Sequence, residues 1–388
     1  MTNNKRTSSP VQSNRMIGIV EGFVQSPTVI ILAGIHGNEK AGVKAANQVI
    51  HKIRQDSVTF QGNLYIILGN INALEKGIRY ESSDLNRIWN EENIDSILDG
   101  SVILDAEAKE QIEIYAYIKD ILSNNTGPFY FLDLHTTSSA TIPFITISDS
   151  LNNRKFSSNF SIPIVLGIEE YLDGPLLTYI NEFGHVALGF EGGEHHDNES
   201  VIKCEAFIWL ALVYSKCIKK KNLPDFVKYK NELSEKYFKN VFFEIIYKYT
   251  IKKNENFKMH RGFKNFEHIS KNQSLAQTEG KEIFSNENGR IFMPLYQNLG
   301  DDGYFILNKI SMFWLKASLV ARKIKINHFL RLIPGVKIDP LHRHGLIVNP
   351  KIAKYMAKDI FHLFGYRKKI FKNGKVYFTK RDRKVKPL

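Results

Sequence analysis

The chain has 388 residues, of which 43% are hydrophobic and 12% aromatic, so it can bury a large core and we expect two domains. No stretch of 18 uncharged apolar residues occurs, which argues against a membrane-spanning helix, and two cysteines are too few for a disulfide framework. The net charge of +13 is concentrated at one end, because residues 351–388 hold 13 basic and 2 acidic residues.

The first half of the chain alternates between strand-like and helix-like segments. Residues 1–15 are polar without an apolar segment, which predicts a flexible N-terminus, no secretory signal and a cytoplasmic protein. Apolar runs typical of strands buried on both faces lie at residues 28–35, 64–68, 129–134 and 186–190. Helical patterns lie at residues 41–54 and 105–122. The alternation predicts an α/β fold with a mixed central sheet flanked by helices.

The second half of the chain differs in composition from the first. Residues 215–257 are rich in lysine and aromatic residues, and we interpret them as a closing helical segment of a catalytic domain over residues 16–257. Short apolar runs between glycines predict a smaller β-rich domain at residues 258–345.

Residues 346–388 form a basic tail. It is either an accessory contact for nucleic acid or a membrane, or a solvated extension with a hairpin at Asn373-Gly374. No recognisable nucleic-acid fold accompanies it, which favours the extension.

Polar residues follow the predicted strands: His36, Asn70, His135 and Glu191. Such sheets place their sites at the carboxyl ends of strands. His36 and Glu39 are three residues apart on a short turn, and His135 supplies a third ligand for a catalytic zinc site. Asp133 can accept a hydrogen bond from the other ring nitrogen of a ligand histidine. Each residue alone also fits an ordinary structural role, so the prediction depends on their coincidence.

Three further side chains suit hydrolytic chemistry. Glu191 leaves a buried strand and can take a proton from an activated water. Glu194, His195 and His196 are interpreted as an exposed loop outside the site. Arg79 and Arg87 lie in a polar segment and suit an anionic substrate, one of them binding a carboxylate and the other an oxyanion.

These motifs occur in the order and spacing of the succinylglutamate desuccinylase/aspartoacylase family, a branch of the zinc carboxypeptidase-like fold, which the chain resembles over about residues 16–215. The resemblance implies hydrolysis of the amide bond of an N-acyl amino acid at one zinc ion per chain. It also implies a role for each site residue: His36, Glu39 and His135 as ligands, Glu191 as general base and acid, Arg79 polarising the scissile carbonyl, and Asn86 and Arg87 holding the α-carboxylate. Tyr296 is a further candidate for contact with the substrate.

One departure concerns the substrate. Aspartoacylases carry an arginine about ten residues before the general base, and residues 176–182 contain none. We therefore do not expect N-acetylaspartate, and Asn181 or Glu182 could favour a neutral or basic group. Two alternatives stay open: a metallocarboxypeptidase that cleaves short peptides, and a non-catalytic scaffold whose basic tail binds an anionic surface.

Overall fold

The computed structural model describes residues 15–297, 299–324, 330, 332–340, 345–352 and 357–388. The flexible segment predicted at residues 1–15 lies, except for Arg15, outside the described residues. The strands are β1 (Met16–Val20), β2 (Thr28–Ala33), β3 (Asn63–Leu68), β4 (Phe129–Thr137), β5 (Phe144–Ile147), β6 (Ile164–Leu166), β7 (Val186–Glu194), β8 (Phe242–Thr250), β9 (Phe257–Met259), β10 (His268–Ile269), β11 (Ser274–Thr278), β12 (Lys281–Phe284), β13 (Gly289–Phe292), β14 (Asp302–Lys309), β15 (Val336–Ile338), β16 (Gly345–Val348), β17 (Tyr366–Lys372) and β18 (Lys375–Lys380). The helices are α1 (Ala41–Gln55), α2 (Ile71–Lys76), α3 (Glu91–Leu98), α4 (Ala106–Asn124), α5 (Leu151–Ser157), α6 (Leu176–Glu182), α7 (Asn198–Tyr214), α8 (Phe226–Glu232), α9 (Met312–Lys323) and α10 (Ala357–Leu363).

A mixed sheet of eleven strands in the order β1-β3-β2-β4-β7-β5-β6-β8-β14-β13-β10 forms the centre of the molecule. Strands β3, β2, β4 and β7 are parallel neighbours. Alternate side chains of β2 enter different cores: Val29 and Ile31 pack with α1 and α7 on one face, and Ile30 and Leu32 with α4 and α6 on the other. The predicted α/β fold with helices flanking a mixed sheet is therefore confirmed.

The four predicted strands are present, with shifted ends. β2 ends at Ala33, so His36 lies in the turn that follows it. β4 continues to Thr137 and β7 to Glu194, so His135 and Glu191 lie inside strands. They are paired across the two strands, which places both at the carboxyl edge of the sheet.

The helical interpretation of residues 215–257 is wrong in its second part. Helix α8 ends at Glu232, and β8 then adds to the large sheet, parallel to β6 and antiparallel to β14. Aromatic and β-branched residues favour strands, and Phe243 and Ile245 are both buried in a core shared with β14.

Residues beyond β8 are rich in antiparallel strands, as predicted. β9, β11 and β12 form a separate three-stranded sheet, whereas β10, β13 and β14 extend the large one. The domain boundaries stay predictions, although strands from both sides of residue 257 share the large sheet. No helix of the described residues is long and apolar enough to cross a membrane.

The basic tail folds as part of a four-stranded sheet in the order β15-β16-β18-β17. The hairpin predicted at Asn373-Gly374 is confirmed, since Lys372 pairs with Lys375 around a turn of two residues with positive φ. The interpretation as a solvated extension is wrong, because Arg367 and Arg381 are buried.

The buried carboxylate of Asp149 holds this C-terminal region against the catalytic core. It accepts hydrogen bonds from Arg154 Nε at 2.5 Å, Arg322 Nη2 at 3.0 Å and Arg367 Nη2 at 2.6 Å. Burial alone would raise the pKa of Asp149, but the three guanidinium groups lower it well below its ordinary value. The ionised carboxylate thus offsets buried positive charge from α5, α9 and β17.

We predict that Asp149→Asn lowers the free energy of unfolding by about 3–5 kcal/mol, because it leaves buried guanidinium groups without a counter-charge. Chemical denaturation measures the change. The matched control is Asp225→Asn, which removes a carboxylate 2.7 Å from Lys52 with both side chains partly exposed, and whose cost we expect below about 1 kcal/mol. Equal losses in the two variants would contradict the role of Asp149.

Candidate active site

The turn between β2 and α1 carries His36 and Glu39 and is held tightly. The Glu39 amide donates to the His36 carbonyl at 3.1 Å, and the Gly37 amide donates to the Arg79 carbonyl at 3.1 Å. A Cβ at Gly37 would lie 2.1 Å from the carbonyl carbon of Ala73 in α2. Only glycine fits this close approach, so the turn is fixed against α2.

The carboxylate of Glu39 joins the two histidines. Oε1 lies 2.7 Å from His36 Nδ1, and Oε2 lies 3.0 Å from His135 Nδ1. The Thr136 amide also donates to Oε2 at 2.9 Å. One potential ligand atom from each of His36, Glu39 and His135 lies within 4.8 Å of the others, and all three side chains are buried.

The outer ring nitrogens of both histidines face carboxylates. His135 Nε2 lies 2.7 Å from Asp133 Oδ2, and His36 Nε2 lies 3.1 Å from Asp84 Oδ1. A carboxylate on the outer nitrogen fixes the ring orientation and leaves the inner nitrogen free to act as a ligand. The predicted partner of His135 is therefore present, while the equivalent partner of His36 was missed. In the sequence, this partner of His36 is indicated by the acidic residue that begins the Asp84–Arg87 motif.

The charge of the cluster suits a divalent cation. Burial would lower the pKa of His135, but Asp133 and Glu39 raise it well above the ordinary value. Burial would raise the pKa of Glu39, yet the two histidines lower it well below. The buried cluster of His36, Glu39 and His135 therefore stabilises a positive charge next to its carboxylate. Two imidazoles and one carboxylate are also a usual ligand set of catalytic zinc.

Glu191 lies beside this cluster as a buried carboxyl group. Burial raises its pKa to about 8, and His135 and Arg79 offset only part of this effect. Its Oε2 atom has no hydrogen-bond partner among the described residues. A buried polar oxygen without a partner is costly unless a ligand or water satisfies it, so the geometry leaves this atom available to a reactant.

The segment after α2 carries Arg79 and Arg87, and the buried carboxylate of Glu107 holds it. Glu107 accepts backbone hydrogen bonds from Glu81 at 2.7 Å, Ser82 at 2.9 Å and Ser83 at 3.1 Å. These bonds lower the pKa of Glu107 against the effect of burial. One side chain of α4 thus fixes the polar loop over the sheet edge.

Arg79 reaches the ligand cluster from this loop. Its Nη1 donates to Glu39 Oε1 at 3.3 Å and its Nη2 to Asp84 Oδ2 at 3.0 Å. Burial opposes the charged form of Arg79, but Asp84 and Glu39 outweigh it and raise the pKa. Arg79 therefore places a permanent positive charge beside the cluster.

Asn86 and Arg87 line the same cavity from a short 3-10 helix, Leu85–Arg87. Asn86 Oδ1 accepts the Leu176 amide at 3.0 Å, which joins the loop to the start of α6. Arg87 Nη2 lies 3.3 Å from Asp302 Oδ2, and Asp302 Oδ1 lies 2.5 Å from Lys248 Nζ. Arg87 is thus partly exposed in the cavity and shares one carboxylate with Lys248.

Two residues considered from the sequence have other positions. The Tyr296 hydroxyl donates to the His260 carbonyl at 2.8 Å and accepts the Phe263 amide at 3.0 Å. Tyr296 does not line the cavity, in contrast to its neighbour Gln297. Asn70 caps α2 and donates to Glu107 at 3.0 Å, which is a structural role.

His195 was wrongly left in an exposed loop. It lines the cavity, with Nδ1 2.8 Å from Thr136 Oγ1 and Nε2 3.3 Å from Gln297 Oε1. The signal was the length of β7, which continues past Glu191 and so brings His195 to the same sheet edge. Burial lowers the pKa of His195, which favours a neutral imidazole.

The cavity has a volume of about 450 Å³, and its lining includes the uncharged residues Gly189, Thr146 and Leu177. Gly189 pairs with Thr146 of β5, and a Cβ at Gly189 would lie 2.5 Å from Thr146 Oγ1 and 3.3 Å from Leu177 Cδ1. The suggestion that Asn181 or Glu182 selects the substrate is wrong. Asn181 bonds to the His185 carbonyl, and Glu182 pairs with Arg381 and Arg383.

Comparisons with known proteins agree with this geometry. The family model of the succinylglutamate desuccinylase/aspartoacylase catalytic domain matches residues 25–200. Residues 25–200 are therefore similar to the catalytic domain of this family. The succinylglutamate desuccinylase of Yersinia pseudotuberculosis serotype O:3 is 42% identical over 62 residues, which is 16% of this chain and 19% of that protein. That of Photorhabdus laumondii is 28% identical over 133 residues, which is 34% of this chain and 40% of that protein. The matches thus span less than half of the length of these curated relatives.

Solved structures of this family share the fold over a longer stretch. The succinylglutamate desuccinylase of Vibrio cholerae has a TM-score of 0.57 at 16% identity, covering 74% of this chain and 83% of that one. A succinylglutamate desuccinylase/aspartoacylase of Rhodobacter sphaeroides has a TM-score of 0.57 at 14% identity, covering 76% and 88%. The desuccinylase fold therefore extends beyond the residues that the family model matches.

We predict that Glu107→Ala raises the amide exchange rates of residues 81–83 at least about tenfold, because each amide loses an acceptor worth roughly 1–3 kcal/mol when left unsatisfied. Hydrogen exchange with mass spectrometry measures this. The control is Glu113→Ala on the same helix, whose carboxylate contacts Arg15. Unchanged exchange in Glu107→Ala would show that the loop is held by other contacts.

Proposed function

We propose that the chain is a zinc-dependent amidohydrolase that cleaves the amide bond of an N-acyl amino acid and releases a carboxylate and a free amino acid. The observation that carries the proposal is the unpartnered Glu191 Oε2 beside the buried group His36, Glu39 and His135. A ligand set alone would serve a structural metal. An adjacent carboxyl group without a partner is what a hydrolytic site requires in addition.

His36, Glu39 and His135 would hold one zinc ion per chain. Bound there, zinc supplies Lewis acidity, which activates water and polarises a carbonyl group. Asp84 and Asp133 orient the ligand rings, so the chain provides both the ligands and the groups that support them. The carboxylate-rich surroundings stabilise a cation at this point.

Glu191 acts as the proton carrier. As the water attacks the amide carbon, Glu191 accepts its proton; the same proton then passes to the leaving nitrogen as the C–N bond breaks. Burial, which raises the pKa of Glu191, favours the protonated form after the first transfer. The carboxyl group is therefore able to act as a base and then as an acid.

The two arginines have separate roles. Arg79, beside Glu39, stabilises the negative charge that develops on the carbonyl oxygen. Arg87 and Asn86, which line the same cavity, bind the α-carboxylate of the amino acid. The uncharged lining around Gly189 and Thr146 favours a substrate with an uncharged group at that position. Tyr296 has no role in this proposal, because it does not line the cavity. The cytoplasmic location stays a prediction.

We expect Glu191→Gln to keep one zinc ion per chain and to lower kcat by about 100- to 10,000-fold, because only the proton acceptor is removed. His135→Ala should lose the metal itself, and the exposed His51→Ala should keep both metal and activity. Elemental analysis and a free-amine assay with N-acyl amino acids measure these outcomes. A fully active Glu191→Gln enzyme would refute the mechanism.

We expect hydrolysis of N-acyl amino acids with a free α-carboxylate, and Arg87→Ala should raise their KM roughly 10- to 100-fold through loss of a charge-assisted hydrogen bond. N-acyl amino acid amides, which lack that carboxylate, serve as matched substrates, and their kcat/KM should be nearly insensitive to the substitution. Turnover of dipeptides in place of N-acyl amino acids would instead identify a carboxypeptidase.

A further inference from the structure

The net positive charge of the chain comes from its C-terminal part. Residues 312–388 contain 20 Lys and Arg against 3 Asp and Glu, whereas residues 1–311 contain 33 against 37. The formal charges are +17 and −4. These 77 residues contain α9, α10 and the β15-β16-β18-β17 sheet, and they lie beyond the residues that the family model matches. The proposed catalytic chemistry uses none of them.

Helix α9 has one buried side and one exposed apolar side. Leu315, Ser318 and Arg322 are buried against the rest of the molecule. On the opposite side, Phe313, Val320 and Ile324 are spaced as i, i+7 and i+11, so they share one face of the helix.

This outer face is open to solvent among the described residues. Phe313 is 69% exposed, Val320 53% and Ile324 62%. Met312 and Trp314 are exposed at the start of the helix, and the exposed Lys316 and Lys323 flank the outer face. We call Phe313, Val320 and Ile324 the outer stripe. Large exposed apolar side chains in such an arrangement mark a surface that binds a partner.

We propose that α9 docks on the surface of an anionic lipid bilayer, with the outer stripe and Trp314 among the acyl chains and Lys316 and Lys323 at the headgroups. Aromatic and aliphatic side chains on one side, with lysines beside them, are the arrangement of interfacial helices. Lysine stems extend along the apolar surface and place their charges at the lipid phosphates. The net positive charge of residues 312–388 supplies long-range attraction to such a surface, although Asp149, Glu169 and Glu182 offset the part of it that Arg322, Arg367 and Arg381 carry.

The same features disfavour two other occupants. We call residues 312–388 the C-terminal module. A second copy of the chain would bring another C-terminal module to the contact, and the like charges of the two modules would repel each other. Nucleic acid would satisfy the lysines, but its phosphates would leave the aliphatic stripe in water. Of these three occupants, a lipid surface matches both the charge and the apolar side chains.

The chain carries a built-in probe of this contact. Of its three tryptophans, Trp89 and Trp209 are buried, and Trp314 is 57% exposed. We expect vesicles of phosphatidylcholine with phosphatidylglycerol to shift the tryptophan emission to shorter wavelength and to protect it from acrylamide. Vesicles of phosphatidylcholine alone should do so much less. Binding without any change in emission would overturn the proposal, because Trp314, which the proposal places among the acyl chains, would then remain in water.

Variants of the full chain test which residues are responsible. Phe313→Ser/Val320→Ser should lower the vesicle partition constant roughly tenfold or more, since two exposed apolar side chains lose their burial in lipid. The control, Ile103→Ser/Val227→Ser, removes side chains that are 96% and 64% exposed outside the module, and should bind as the wild type does. Lys316→Glu/Lys323→Glu should also weaken binding roughly tenfold or more, and less so at high salt.

Three results would assign the surface differently. Equal binding by the stripe variant and its control would show that lipid contacts lie elsewhere. A dimer that dissociates in the stripe variant, without vesicle binding by the wild type, would assign the stripe to a second copy. Retention on duplex DNA without vesicle binding would assign the charge to nucleic acid. Circular dichroism and zinc content check that each variant is folded.

Discussion

The carboxylate of Glu39 connects the elements of the site. It contacts His36 on its own turn, His135 and the Thr136 amide on β4, and Arg79 on the loop after α2. β2 and β4 are adjacent and parallel, so their carboxyl ends meet where this carboxylate lies. Because these partners come from three separate segments, the candidate metal site and the placement of Arg79 depend on one buried side chain, and a shift of the β2 turn would disturb them together.

The wall of the cavity depends on residues far along the chain. Thr146 and Ser148 line the cavity, and Asp149 is the next residue. Its contacts with Arg322 and Arg367 come from α9 and β17. The C-terminal module therefore helps to hold the part of the cavity wall that Thr146 and Ser148 form. The buried guanidinium groups of Arg322, Arg367 and Arg381 are compensated by the carboxylates of Asp149, Glu169 and Glu182.

Features that depend on local pattern could mostly be predicted from the sequence. The four buried strands, the polar residues that follow them and the position of Asp133 beside His135 are local features, and the Asn373-Gly374 hairpin needs only its own turn residues. The features that were missed depend on distant partners. Glu182 was assigned to the substrate because Arg381 and Arg383 are 199 and 201 residues away. β8 was interpreted as helix because its aromatic and lysine residues, taken alone, also fit a helix. Its pairing with β14 shows that it is a strand. His195 was excluded since three polar residues in a row are typical of loops, and only the length of β7 corrects that.

On the proposed function, a substrate carboxylate does not enter an empty cationic site. Arg87 already contacts Asp302, so the incoming carboxylate exchanges with that side chain, and only the difference between the two pairs contributes to affinity. Lys248 lies 2.5 Å from Asp302, closer than Arg87 at 3.3 Å. Asp302 can therefore release Arg87 and remain paired. The exchange leaves neither charge without a partner, whereas a ligand that lacks the carboxylate leaves Arg87 paired with Asp302 and gains no affinity from it.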